Sequence, residues 1–171
     1  MAISGLSAIK KGNDIFGVFP LKGKLLNIRE ASHKQIIDNE EFNNLKQILG
    51  LKMGITYTKD NISELRYGSI ILMMDADVDG SHIKGLFINM LDFYFPSLLK
   101  LDNFLKVLIT PVVKVSKQKE VISFFSLGEF ESWKNKNNNN LWKIKYYKGL
   151  GTSTSDEAKE YFKNLDKHLI P

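Results

Sequence analysis

The chain has 171 residues, 43% of them hydrophobic and 25% charged, with 24 Lys+Arg against 19 Asp+Glu for a net charge of +5. That length can bury the core of one globular domain, with room for an appendage. The absence of cysteine excludes a disulfide framework and thiolate metal sites, and no apolar run reaches the ~20 residues that a membrane span needs.

The N-terminus shows no secretory pattern, so the chain reads as an intracellular, soluble protein. Any metal must be held by oxygens or by the three histidines. The positive balance favours a polyanionic partner without requiring one.

Apolar spacing over residues 3–11 predicts a short helix that stops at Gly12-Asn13. Residues 16–27, broken by Gly17, Pro20 and Gly23, read as a loop with strand pieces. Over 30–49 the pattern predicts two short helices meeting near Asp38-Asn39, with Ile36, Ile37, Phe42, Leu45, Ile48 and Leu49 facing inward. Residues 69–74 form a continuous apolar run of strand length, as expected of a strand buried on both faces in a parallel sheet. Residues 81–98 carry apolar side chains at 83, 86, 87, 90, 91, 94, 95 and 98, which is the spacing of an amphipathic helix.

Residues 104–115 are expected to form two strands bent at Pro111, and 141–147 another. The polar, asparagine-rich stretch 134–140 has nothing to bury and is expected to be an exposed loop. Thr154 with Glu157 three residues on announces a capping box and a last helix over about 155–165. Alternating strands and helices give an α/β fold class.

Asp75-Ala76-Asp77-Val78-Asp79-Gly80 places three carboxylates at alternate positions directly after the apolar run. Extended geometry would send them to one side. Such a cluster repels itself unless a cation sits in it, and hard oxygen ligands suit Mg²⁺, or Mn²⁺ in its place. The bland alternative is a solvated turn in which Asp79 or Ser81 caps the following helix. An EF-hand loop begins the same way, but it needs a bidentate Glu at its twelfth position, which here is Leu86, and a helix rather than a strand before it.

Arg66-Tyr67-Gly68, the strand and the acidic loop through Ser81-His82-Ile83-Lys84-Gly85-Leu86 resemble the second Toprim motif of type IIA DNA topoisomerases. Two further blocks agree in the family's order. Pro20-Leu21-Lys22-Gly23-Lys24-Leu25-Leu26-Asn27 is similar to its proline-leucine-basic-glycine-lysine segment, and Tyr146-Tyr147-Lys148-Gly149-Leu150-Gly151-Thr152-Ser153-Thr154-Ser155 to the eukaryotic-type Lys-Gly-Leu-Gly motif. The resemblance implies a Toprim (Rossmann-like) parallel sheet flanked by helices over 1–115, and a C-terminal α+β extension over 116–171. The family's Glu-Gly-Asp-Ser-Ala motif would precede Ile3, where only Met1-Ala2 stands. The wording implies that this piece alone does not cleave DNA.

By the same resemblance Asp75 is the central metal ligand, Asp77 its partner, and Asp79 either a ligand through water or a helix cap. Lys22, Gly23, Lys24, His82, Lys84, Lys148, Gly149 and Gly151 fall in segments that face DNA. His82 could equally be a helix-start residue packed on the loop, and Arg29 with Glu30 reads as a structural ion pair or helix entry. The implied parent is an ATP-dependent, homodimeric enzyme that cleaves and religates double-stranded DNA with Mg²⁺, with ATP bound in a separate ATPase domain. It would be nuclear, or cytoplasmic or virion-borne in a viral version. A different Toprim enzyme, such as a nuclease or primase, would share the acidic loop but not the two flanking blocks; a non-catalytic metal- or DNA-binding module is the other reading.

Overall fold

The computed structural model describes residues 2–9, 11–137 and 141–171. The chain divides into two compact units that interleave in sequence: Met1–Val18, Met74–Asp77 and Leu108–Leu169 in the first, Phe19–Met73, Val78–Val107 and Ile170–Pro171 in the second.

In the first unit, helix α1 (Ala2–Leu6) is shorter than its pattern suggested, and Gly12-Asn13 opens a second helix, α2 (Gly12–Ile15), instead of closing the first. Lys11, at φ 58°, makes the left-handed turn between them. Strands β3 (Val113–Lys117), β4 (Glu120–Phe124) and β5 (Lys143–Tyr146) form an antiparallel sheet with β3 in the middle. The expected domain boundary at residue 115 falls inside β3.

Alternation along β3 gives the sheet two different faces. Val113 and Val115 are fully buried with Phe124 and Phe130, and Val112, Ile122, Trp133, Trp142 and Ile144 pack around them. Phe130 and Trp133 come from helix α6 (Leu127–Lys136), capped by the Ser126 side chain, which accepts from the Glu129 N–H. Lys134–Lys136, expected in a loop, are thus the last turn of α6; Asn138–Asn140 lie outside the described residues.

Helix α7 (Ser155–Lys163) begins with the expected capping box, Thr154 and Glu157 exchanging bonds across the first turn. Phe162 of α7 packs so closely on α1 that a Cβ on Gly5 would come within 2.3 Å of its ring. The short helix α8 (Leu165–His168) follows.

The 16–27 segment, whose residues from Phe19 on belong to the second unit, holds no strand; it is loop throughout, with Leu25 buried and Ile28 just beyond it also buried. Helices α3 (His33–Ile37) and α4 (Glu40–Leu49) meet at Asp38-Asn39 as predicted, Asn39 capping α4. Phe42, Leu45 and Leu49 are buried, but Ile37 is 59% exposed because it sits on the final residue of α3, facing away.

Strand β1 (Ile70–Met73) is buried only at Leu72. Among the described residues it lies at the edge of a sheet ordered β1-β2-β6, with β2 at Leu105–Leu108 and β6 at Leu169–Ile170. The two strands flanking Pro111 therefore belong to separate sheets. Helix α5 (Val78–Tyr94) buries Leu86, Phe87, Met90 and Leu91, the stripe expected of it. It ends before Pro96, so Leu98 falls in a separate 3-10 turn.

Candidate functional site

The acidic loop is where the chain passes from one unit to the other, with Asp75 and Asp77 in the first and Asp79 in the second. Strand geometry stops at Met73 and α5 starts at Val78, three residues before the spacing suggested. The alternation of extended backbone therefore does not run through the three aspartates. Asp77 is exposed immediately before the helix, and Asp79 lies in its first turn, where the helix dipole favours an anion. Among the described residues no group of three or more His, Asp or Glu side chains is gathered as a metal centre needs.

Asp75 is exposed, yet it is oriented. Its Oδ1 accepts the backbone N–H of Leu150 at 2.7 Å. A Cβ on Gly149 would stand 2.5 Å from its Cγ, 2.6 Å from Oδ1 and 2.8 Å from Oδ2. The backbone there is fully extended, φ 171° and ψ −175°, so any residue could adopt it; glycine is needed for space alone. The close approach that Gly149 permits is to the Asp75 carboxylate. Gly151, by contrast, has nothing within 4 Å of a Cβ. A hard-oxygen ligand held by a backbone donor, with lone pairs left over, suits a divalent cation.

Asp79 is engaged by a residue from the other expected group: its Oδ1 lies 2.9 Å from the Lys24 ammonium, both side chains more than half exposed. The hydrogen bond from Lys24 and its charge, with a smaller contribution from His82, hold the Asp79 carboxyl below its ordinary value. Lys22 and Gly23 precede Lys24 on the same exposed loop, and Gly23, at φ 92°, makes a turn open only to glycine at low cost. His82 is exposed on α5 and Lys84 half-buried. Lys148 is exposed at the mouth of the Gly149 loop. Arg29 pairs with Asp92, at 2.5 Å, and not with the expected Glu30, and its guanidinium also donates to Asn89 at 2.6 Å.

Sequence reasoning missed the polar cluster beneath that loop, all of it in the first unit. Lys114 on β3 stands directly opposite Lys145 on β5, a like-charge pairing that destabilises a sheet unless an anion bridges it. Glu157 is that anion, 3.7 Å from Lys114 and 3.1 Å from Lys145. Its carboxylate also accepts from the Tyr147 hydroxyl and, at 2.9 Å, from the Thr154 N–H. No local pattern marks it, because the two lysines meet only once the strands pair. His168 is buried against the rings of Phe125 and Tyr161, with Nδ1 3.1 Å from the Ile109 carbonyl, which makes it part of the packing.

Burial works to raise the Glu157 carboxyl, but the bonds from Tyr147, Thr154 and Lys145 and the charge of Lys114 outweigh it and hold the group at about 2, against an ordinary 4.5. Burial, then the bond to Glu157, pushes the Tyr147 hydroxyl up. A depressed carboxyl stabilises the fold fully above the unfolded value and stops doing so as pH falls through the folded one. Acid unfolding followed by circular dichroism should therefore show stability lost between 4.5 and about 2, with a shallower loss in Glu157→Gln. Identical acid curves for the two chains would remove Glu157 from that account.

Residues 4–111 match the family model described as the Toprim domain, and residues 108–171 the C-terminal associated domain of TOPRIM. Across 99% of this chain the sequence is 57% identical to DNA topoisomerase 2-alpha of Rattus norvegicus, 55% to that of Homo sapiens and 56% to DNA topoisomerase 2 of Bombyx mori. The chain spans 11% of each of these relatives. Its structure is similar to the Plasmodium falciparum topoisomerase II DNA-binding, cleavage and re-ligation domain, with a TM-score of 0.91 and 52% identity over 99% of this chain and 23% of that one.

Proposed function

We propose, from the premise that this chain belongs to the Toprim family and carries that family's C-terminal associated domain, that it is the metal-binding segment of the DNA-cleavage region of a type II DNA topoisomerase. The reading draws on relatives that align over both blocks flanking the acidic loop, where a primase or nuclease would share the loop alone. The parent enzyme then breaks and reseals duplex DNA as an ATP-dependent homodimer in the nucleus, its ATP site lying outside this segment.

The observation that carries the site is the seat of Asp75, fixed by the Leu150 N–H and shaped by Gly149. Asp75 and Asp77 would hold Mg²⁺, or Mn²⁺ in its place. The ion, when bound, neutralises charge on the phosphate being cleaved and on the departing oxygen. The first unit's own part is to present an oriented carboxylate. Lys22, Lys24 and Lys148 meet backbone phosphates, which position the duplex without reading its sequence. Gly23 and Gly151, with no Cβ to intrude, each let their own segment approach the backbone closely; His82 and Lys84 on α5 contact DNA in the same way. Lys24 reaches a phosphate by leaving Asp79, so its contribution carries a salt dependence from both partners.

Titration of the isotope-labelled chain with Mn²⁺ tests the reading. Saturable broadening centred on Asp75 and Asp77, abolished in Asp75→Ala, is the expected result. Broadening that survives in Asp75→Ala, or spreads evenly over the acidic side chains, would place the metal elsewhere.

A further inference from the structure

The loop between β5 and α7 is pinned at both ends by one side chain. On its entry side Tyr147 donates its hydroxyl to Glu157 Oε1, and Lys145 bonds both carboxylate oxygens at 3.1 and 3.2 Å. On its exit side the Thr154 N–H donates to Oε2 at 2.9 Å and the Thr154 hydroxyl to the same oxygen at 3.3 Å. Between the pins the chain is closed on itself: the Thr152 N–H and hydroxyl both reach the Gly149 carbonyl, at 3.1 and 2.6 Å, and the Ser153 N–H reaches Leu150. The one segment of the loop that faces the acidic residues is Gly149-Leu150, against Asp75.

A capping glutamate needs neither a tyrosine nor two lysines, and capping residues ordinarily lie in solvent. The Glu157 side chain is 17% exposed, with Lys114, 12% exposed, behind it. The arrangement does more than start a helix: it removes the freedom of a short loop whose middle amide orients a carboxylate. We infer that Glu157 is a positioning residue for Asp75, acting through the Tyr147–Thr154 loop by holding the Leu150 N–H where that carboxylate must meet it. The inference rests on the reading of Asp75 as a metal ligand; the fixing of the loop does not.

Two variants of the full 171-residue chain test it. Glu157→Gln keeps a capping box, since Gln also serves at that position, but an amide nitrogen replaces one oxygen and cannot accept from Tyr147 or Lys145. Tyr147→Phe leaves the helix cap untouched and opens only the entry pin. In the metal-free state, exchange of the Leu150 amide proton should speed up by about ten-fold or more in each. Mn²⁺ affinity at Asp75 should fall by about ten-fold or more, with the helical circular dichroism of Tyr147→Phe unchanged.

Leu150 protection and Mn²⁺ affinity unchanged in both variants would overturn the inference, reducing Glu157 to a cap. If Glu157→Gln fails to fold, Tyr147→Phe alone decides. Absence of Mn²⁺ broadening at Asp75 in the unsubstituted chain would overturn the metal reading and the assignment with it, and amide exchange, measured without metal, tells that failure apart from failure of the loop clamp.

Discussion

Alanine at position 149 is expected to unseat Asp75. The added methyl would lie 2.5–2.8 Å from three atoms of that carboxylate, closer than any nonbonded contact tolerates. Backbone strain plays no part, because the residue is extended at φ 171°. The collision is relieved only if Asp75 rotates away, surrendering the Leu150 N–H, or if the loop lifts off it. Either movement leaves the carboxylate without its orienting donor. Mn²⁺ affinity should therefore fall by about ten-fold or more, and stability by about 0.5–1.5 kcal/mol, the net worth of the lost Leu150 hydrogen bond, since the exposed Asp75 side chain can swing aside. Gly151→Ala is the matched control: with nothing within 4 Å, it should cost little in either measurement. Titration and urea unfolding of the pair check both numbers, and a Gly149→Ala chain that binds metal normally would mean that the Asp75 seat is not the one metal uses.

The largest stability effect is expected from Phe130→Ala. Phe130 is fully buried at the centre of the sheet's apolar face, its ring 5.5 Å from Phe124 and 5.8 Å from Tyr146. Aromatic truncation at such a site costs about 3–5 kcal/mol, transfer and cavity together. That is a large part of the roughly 5–15 kcal/mol by which a domain is stable. Both tryptophans of the chain, Trp133 and Trp142, stand edge to face 5.2 Å apart in the same cluster. Their fluorescence should thus report the loss directly during urea unfolding. A change under about 1 kcal/mol would mean that α6 collapses into the vacated space.

Periodicity made α5 legible, because Leu86, Phe87, Met90 and Leu91 repeat at helical spacing and all are buried. The capping box at Thr154 was equally plain, since its chemistry is local. What escaped was decided by partners distant in sequence. The partial burial of β1 was set by what covers its two faces, which no run of apolar residues reveals. Helix α6 was masked by its polar end, Lys134-Asn135-Lys136, although Phe130 and Trp133 anchor it. In the candidate site the sequence pattern marked Asp75 and the Gly149 loop separately. It could not tell that they touch, that Lys24 and Asp79 pair, or that Glu157 serves two lysines as well as a helix.

Strand β3 carries two unrelated duties on alternate residues: Val113 and Val115 fill the core, while Lys114 faces Glu157 and Glu160. A slip of one residue in its pairing would exchange the two faces, pressing Lys114 into oil and the valines into water. Such a slip is costly enough to be proofread during folding, so the chain has no cheap way to be well packed and wrongly wired. The placing of charge around the loop is thereby guaranteed by greasy residues that never touch it.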